Sequence, residues 1–276
     1  MKPASFDYLR PEVPEEALAA LGAWGGDAQV LAGGQSLMAL LNFRLARPKL
    51  LIDISGLEAL SGCRIGNGDL VVEASVTQAA LAARPSLAQE APLLALVLPW
   101  IGHYQTRNRG TVCGSVAHAD PAAELPLALV VLDGDVVLRT RQRRRVLGAD
   151  DFFRGMLSTA RQDDELIEAV RFPLQTPGTG VAFREVSQRH GDFALVACAA
   201  VATASRLRFA VGGVAPRPMA RDWPATLDGT ALDDALAAFA AELEAGDDLH
   251  ASAQYRRILV RRLGANVIAE ALACRR

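Results

Sequence analysis

Apolar and polar positions along the chain follow two rhythms, one helical and one of short strand-length runs. Pro14-Glu15-Glu16-Ala17-Leu18-Ala19-Ala20-Leu21 has helical spacing, with acidic residues in the first turn where they suit the helix dipole. The apolar run 28–31 predicts a strand, 37–43 a helix and 50–54 a second strand, with Pro48 separating the last two. Residues 70–74 read as a strand behind the turn Gly66-Asn67-Gly68-Asp69, and 76–81 begin a helix. From Pro92 to Pro99 the chain is almost continuously apolar, which predicts a buried helix. Residues 129–132 and 136–139 flank Asp133-Gly134-Asp135 as two strands of a β-hairpin, and 170–173 close the region as a strand.

Gln175-Thr176-Pro177-Gly178-Thr179-Gly180 is the linker candidate. Beyond it, 181–186, 195–201 and 207–211 read as an antiparallel set of strands, and 212–218 break the pattern. Two helices finish the chain, 232–245 and about 252–273. The expectation is an α+β protein: an N-terminal domain over 1–175, in lobes of about 1–55 and 56–175, and a C-terminal antiparallel sheet with helices over 176–276.

Composition narrows the chemistry. Half of the 276 residues are apolar and the net charge is −2, so a globular chain is expected without a strongly charged partner. Lysine occurs only at Lys2 and Lys49, which leaves neither a P-loop lysine nor a plausible Schiff-base lysine. Cys63, Cys113, Cys198 and Cys274 are scattered without a CxxC pair, which argues against an iron–sulfur or zinc site within the chain and fits a reducing cytoplasm. His103, His118, His190 and His250 lack metal-ligand spacing, so no metal residue is assigned. No signal-peptide core and no run long enough to span a bilayer is present, so a cytoplasmic protein without a membrane span is expected. The run Arg143-Arg144-Arg145 lacks interleaved aromatics and reads as a solvated strand end rather than a nucleic-acid surface.

Two glycine-containing loops carry the candidate chemistry. The first, Ala32-Gly33-Gly34-Gln35-Ser36, joins a strand to a helix; paired glycines permit positive φ and close approach of a ligand, so that consecutive amides converge on an anion. Ser36 either caps the helix or donates to a phosphate oxygen. The second is Thr111-Val112-Cys113-Gly114-Ser115, followed by His118, Asp120, Pro121 and Glu124. Asp120 and Glu124 stand four residues apart on an expected helical turn, with Asp120 as its cap. Ser115, His118 and Asp120 supply the residue types of a hydrolase triad without the nucleophile-elbow context, and no catalytic residue is assigned. Neither loop is a GxGxxG after a first strand, which disfavours the Rossmann fold.

Order, spacing and flanks of both loops resemble the FAD-binding (medium) subunit of the molybdenum hydroxylases, the family of xanthine dehydrogenase and aerobic carbon monoxide dehydrogenase. Gly213-Val214-Ala215-Pro216 and Tyr255-Arg256-Arg257 extend the likeness to the C-terminus. The resemblance implies a two-lobed FAD-binding domain of the PCMH/vanillyl-alcohol-oxidase-like type, with FAD diphosphate on residues 32–36 and on Thr111, Cys113, Gly114 and Ser115. The family usually carries two adjacent glycines in the second loop; Cys113 replaces the first, as a packed side chain or as a redox-active thiol. By the same resemblance Glu124, with Asp120 nearby, meets the ribityl or ribose region, Ile101 abuts the isoalloxazine and Ile167 the adenine. Arg184 is then a cation near the flavin and Phe193 covers one of its faces, although Ile101, Ile167 and Phe193 serve equally as core residues.

The resemblance further implies an electron-transfer subunit. Electrons would pass from [2Fe–2S] clusters on a small subunit to FAD and on to an acceptor such as NAD, a quinone or oxygen. A large molybdopterin subunit would hydroxylate the substrate, most simply in a dimer of heterotrimers. The alternatives are a free-standing FAD-dependent oxidoreductase of the same fold and a flavin-free scaffold.

Overall fold

A computed structural model describes residues 2–275. The first lobe is a parallel three-stranded sheet, β1 (Asp7–Leu9), β2 (Ala28–Leu31) and β3 (Leu50–Asp53), in the order β1-β3-β2. Helix α1 (Pro14–Trp24) crosses between β1 and β2, placing Ala17, Leu18 and Leu21 in a small core with Leu50 and Ile52. Helix α2 (Leu37–Asn42) crosses from β2 to β3, so the first glycine loop occupies the β2–α2 corner. Strand β1 is not legible in the sequence: with three residues it is too short for a pattern.

The second lobe is antiparallel, in the order β4-β5-β10-β6-β7: β4 (Cys63–Gly66), β5 (Asp69–Glu73), β6 (Asp135–Arg139), β7 (Arg144–Gly148) and β10 (Leu166–Pro173). A small hairpin of β8 (Phe153–Gly155) and β9 (Ser158–Thr159) precedes β10, behind the single turn α9 (Ala149–Phe152). Between β5 and β6 run α3 (Gln78–Ala82), α4 (Leu87–Glu90), α5 (Pro92–Val97), α6 (Tyr104–Arg109), α7 (Val112–His118) and α8 (Glu124–Val131). The apolar run from Pro92 does form a buried helix, α5, which tightens into a 3-10 turn at Leu98–Trp100.

Two expectations fail here. Residues 129–132 are not a hairpin strand but the end of α8, every residue of which is buried. A helix enclosed on all sides carries no amphipathic period, so its apolar run imitates a strand; Asp133, at φ 54°, turns the chain from α8 into β6. Asp120 does not cap a helix begun at Pro121: its Oδ1 accepts from the Ala122 amide at 2.9 Å in a non-helical turn, and α8 starts at Glu124. The Arg143-Arg144-Arg145 run does stand at a strand end, at the start of β7, with Arg143 and Arg144 exposed, and it is tied down by ion pairs. Arg145 forks onto the buried Glu165 at 2.6 and 2.7 Å, and Arg144 meets Glu168 at 2.7 Å.

The C-terminal sheet runs β11 (Gly180–Val186), β12 (Val196–Ala202), β13 (Arg206–Gly212) and β14 (Met219–Pro224), antiparallel throughout. Its fourth strand goes beyond the sequence expectation, because β14 is a half-exposed edge without an apolar alternation. Side chains alternate between faces. Val181, Phe183, Ala197, Ala199 and Ala210 join the core of the second lobe; Ala182, Val196, Cys198, Ala200 and Phe209 face α10 (Gly229–Glu242) and α11 (Ala253–Ala273). With both faces covered, the strands read as continuous apolar runs.

Candidate functional site

The two glycine loops meet. A Cβ built on Gly33 would lie 2.1 Å from the Arg109 carbonyl oxygen and 2.7 Å from the Gly110 Cα, so this glycine is needed for loop-on-loop contact before any ligand arrives. Gly34 sits at φ +72°, which lets the chain turn into α2. Ser36 makes no side-chain cap, which settles one of its two alternatives and leaves its hydroxyl free. None of the amides of residues 33–36 donates to another protein atom among the described residues. Four successive N–H groups are thus left at the mouth of one corner.

Across from them, Thr111 caps α7 by accepting from the Gly114 amide at 3.0 Å. Cys113 points inward from the same helix: its Sγ donates to the Val72 carbonyl at 3.4 Å, and burial pushes the thiol up to about 12. A thiol held protonated and enclosed is a packed side chain, not a redox centre. Gln78, 5 % exposed, adds a buried Oε1 with no hydrogen-bond partner.

Both loops and Gln78 line one cavity of about 840 Å3. Residues 32–36, Ile101, Thr111, Cys113, Gly114, Ser115, Asp120, Glu124, Ile167 and Phe193 all border it. Glu124, 7 % exposed at the start of α8, is pushed up to about 7 by burial, with the Asp120 charge adding to it. Ile167 and Ile101 are buried in the wall, and Phe193 is an exposed lip. Arg184 is the exception and a correction: it does not border the cavity, because β11 directs it outward, where it pairs with Glu270 of α11 at 3.1 Å.

Other cavity residues carry no signal in the sequence. Gln78, Arg161, Gln188, Arg189 and His250 are brought in by tertiary packing and belong to no motif. Gln188 Nε2 lies 2.9 Å from His250 Nδ1, tying the β11–β12 loop to the approach to α11.

The cavity suits a dinucleotide. It is large enough for one, it offers unpaired amides for a diphosphate on one side, and it holds an orphaned acceptor, Gln78 Oε1, for a donor on the ligand. No group of three or more potential metal ligands occurs among the described residues. Nor is any helix among them long and apolar enough to cross a membrane.

Comparison with known proteins agrees over the whole chain. Residues 4–175 match the family described as the FAD binding domain in molybdopterin dehydrogenase, and residues 181–271 the CO dehydrogenase flavoprotein C-terminal domain. The chain therefore belongs to the FAD-binding subunits of the molybdenum hydroxylase family, as an α+β oxidoreductase subunit. It is 37% identical to the 6-hydroxypseudooxynicotine dehydrogenase complex subunit alpha of Paenarthrobacter nicotinovorans, over 99% of this chain and 96% of that protein. It is 35% identical to the carbon monoxide dehydrogenase medium chain of Hydrogenophaga pseudoflava, over 80% of this chain and 79% of that one. The solved structure of the carbon monoxide dehydrogenase from H. pseudoflava that lacks the Mo-pyranopterin moiety superposes with a TM-score of 0.93 at 31% identity, covering 100% of both chains. Quinoline 2-oxidoreductase from Pseudomonas putida 86 gives 0.89 at 31% identity, covering 99% of each.

Proposed function

We propose that this chain is the flavin relay of a three-subunit molybdenum hydroxylase. Two domains, 1–175 and 176–276, enclose FAD between them. The amides of residues 33–36 and the hydroxyls of Ser36 and Ser115 hold its diphosphate, and Glu124 takes the ribityl or ribose hydroxyls. The isoalloxazine lies toward Ile101 and Phe193, and the adenine toward Ile167. FAD supplies two-electron redox chemistry, and the chain fixes its orientation and limits water access to it. A carboxyl at Glu124 held near neutrality donates or accepts a hydrogen bond as the sugar requires.

Electrons reach this site from [2Fe–2S] clusters on a small partner subunit, after hydroxylation at a molybdopterin centre on a large one. They leave to a soluble or membrane acceptor such as NAD, a quinone or oxygen, and the complex is a cytoplasmic dimer of heterotrimers. The supporting observation is the convergence of two distant glycine loops on one cavity, with the amides of residues 33–36 in the first loop unpaired among the described residues.

Reconstitution tests the reading. The flavin-free chain should take up FAD and reject FMN, and acid precipitation should release all of the flavin into the supernatant. No uptake of FAD, or flavin retained in the protein pellet, would overturn it.

A further inference from the structure

Glu185 is a buried carboxyl without a partner. It lies in β11, where Val181 and Phe183 point into the core of the second lobe, and by alternation Glu185 faces the same way. It is 8 % exposed, and neither of its oxygens has a hydrogen-bond partner among the described residues. Arg184, the cation beside it in sequence, turns to the opposite face and pairs with Glu270 of α11 at 3.1 Å. Ser187 lies near enough to ease its ionisation, yet spends its hydroxyl proton on the Arg189 carbonyl at 2.9 Å. The cross-strand neighbour on β12 is Ala197, and α5, packed on the same face, holds no charged residue between Pro92 and Val97. The charge that does face Glu185 has its own sign: Glu124, at the start of α8, which lines the cavity with Asp120 near it.

Ionisation of Glu185 would leave a charge without donor or cation, beside a second carboxyl. Burial, and then the Glu124 charge, accordingly pushes it up to about 8, whereas burial, and then Asp120, pushes Glu124 up to about 7. This sets an order. As pH rises the cavity-facing Glu124 ionises first, and Glu185 keeps its proton behind it. A dinucleotide in the cavity displaces water from Glu124 and brings the negative charge of its diphosphate into the same space. Both changes disfavour a second carboxylate, so the liganded chain keeps the Glu185 proton to higher pH than the free chain does.

We infer that Glu185 is a positioning residue that holds a proton behind Glu124, and that the site takes up its dinucleotide together with that proton. This rests on the FAD reading above and deepens it, since it links flavin loading to pH through a residue that does not itself border the cavity. A group that holds its proton more tightly in the complex makes binding consume protons. Affinity must then fall as pH rises through the free chain's value of about 8.

Calorimetric titration of the full-length, flavin-free chain with FAD tests it. Run at about pH 8.5 in two buffers of different ionisation enthalpy, it counts the protons exchanged on binding. The parent chain should take up a fraction of a proton approaching one per FAD, and its Kd should rise by up to about tenfold between about pH 8 and about pH 9, the limit for one linked proton. Glu185→Gln, neutral at every pH, should abolish the uptake and flatten that rise. Binding by the parent without proton uptake would overturn the assignment, and that result needs no variant to fold. Uptake that survives in Glu185→Gln would overturn it too, by placing the proton on another group. If the parent chain takes up no FAD, the functional reading fails and this inference with it; if it binds FAD without a proton, only the role of Glu185 is lost.

Discussion

Glu124 and Glu185 are two buried carboxyl groups that feel each other's charge, and neither forms an ion pair among the described residues. Both oxygens of Glu185 lack hydrogen-bond partners. Burial, and then the neighbouring Glu124, pushes Glu185 up to about 8, while burial, and then Asp120, pushes Glu124 up to about 7. In the unfolded chain both titrate near 4.5. Above that value the unfolded state releases protons that the folded state keeps, so stability declines as pH rises, down to a plateau above about 8. Urea midpoints should therefore be higher at pH 5 than at pH 8. Glu185→Gln should flatten the difference by a few kcal/mol at most, since each pH unit separating folded from unfolded titration is worth ~1.4 kcal/mol. An equal slope in the variant would show that the pair is not what titrates. Gly33 argues a different point at the same scale. Gly33→Ala drives a Cβ into the Arg109 carbonyl, and overpacking of this kind costs ~1–3 kcal/mol; Gly34→Ala meets only side chains and adds a left-handed strain of ~1 kcal/mol. Thermal melts should rank them in that order, and both should hold FAD less well. The sequence marks both positions as glycine but is silent on this distinction, because the atom that Gly33 touches lies on the other loop.

At the scale of elements, Arg208 of β13 carries the second lobe onto the C-terminal sheet. Only 7 % of its side chain is exposed, and it donates to the Val130 carbonyl at 3.1 Å, at the end of α8, while pairing with Asp133, Asp150 and Asp222 at 3.0, 2.7 and 2.9 Å. Arg206 shares Asp133 and Asp222 but is 44% exposed. Arg208→Met should lower unfolding stability by ~2–3 kcal/mol, since it leaves the buried Val130 carbonyl and Asp150 without their partner and removes one of the two cations that Asp133 and Asp222 share. Arg206→Met should cost under ~1 kcal/mol, because water screens the pairs it loses; comparable losses in urea titrations would refute this ranking. The same region explains what could be read from the pattern and what could not. Loops that follow strands and three of four C-terminal strands announce themselves within a few residues. Helix α8 does not, for it is buried on all sides, and β14 does not, for it lies half-exposed at an edge. The site divides likewise. The glycine loops are local signals, whereas Gln78 and Arg161 enter the cavity only through packing. Arg184 lies away from its expected place because β11 as a strand stands clear of the cavity and its alternation turns this side chain outward to Glu270.

The molecule as a whole presents a flavin-type cavity and, among its described residues, no cluster of metal ligands. A redox cofactor that only relays electrons needs a donor nearby, and this chain has no cysteine pattern to hold one. Cys113 and Cys198 are buried with thiols held protonated, while Cys63 and Cys274 stand apart from them in the sequence. On the proposed reading the donor is carried by another chain, and the names of the relatives, as subunits and medium chains of larger dehydrogenases, support that reading. Affinity purification of this chain from its native host should therefore recover two further polypeptides in equal amounts, with iron and molybdenum eluting alongside the flavin. Within that complex, reduction of the flavin by the substrate as it is hydroxylated should require the iron–sulfur subunit, and the isolated chain should hold FAD without turning over substrate. Recovery of the chain alone, active and free of both metals, would refute the relay and make it a self-sufficient oxidoreductase.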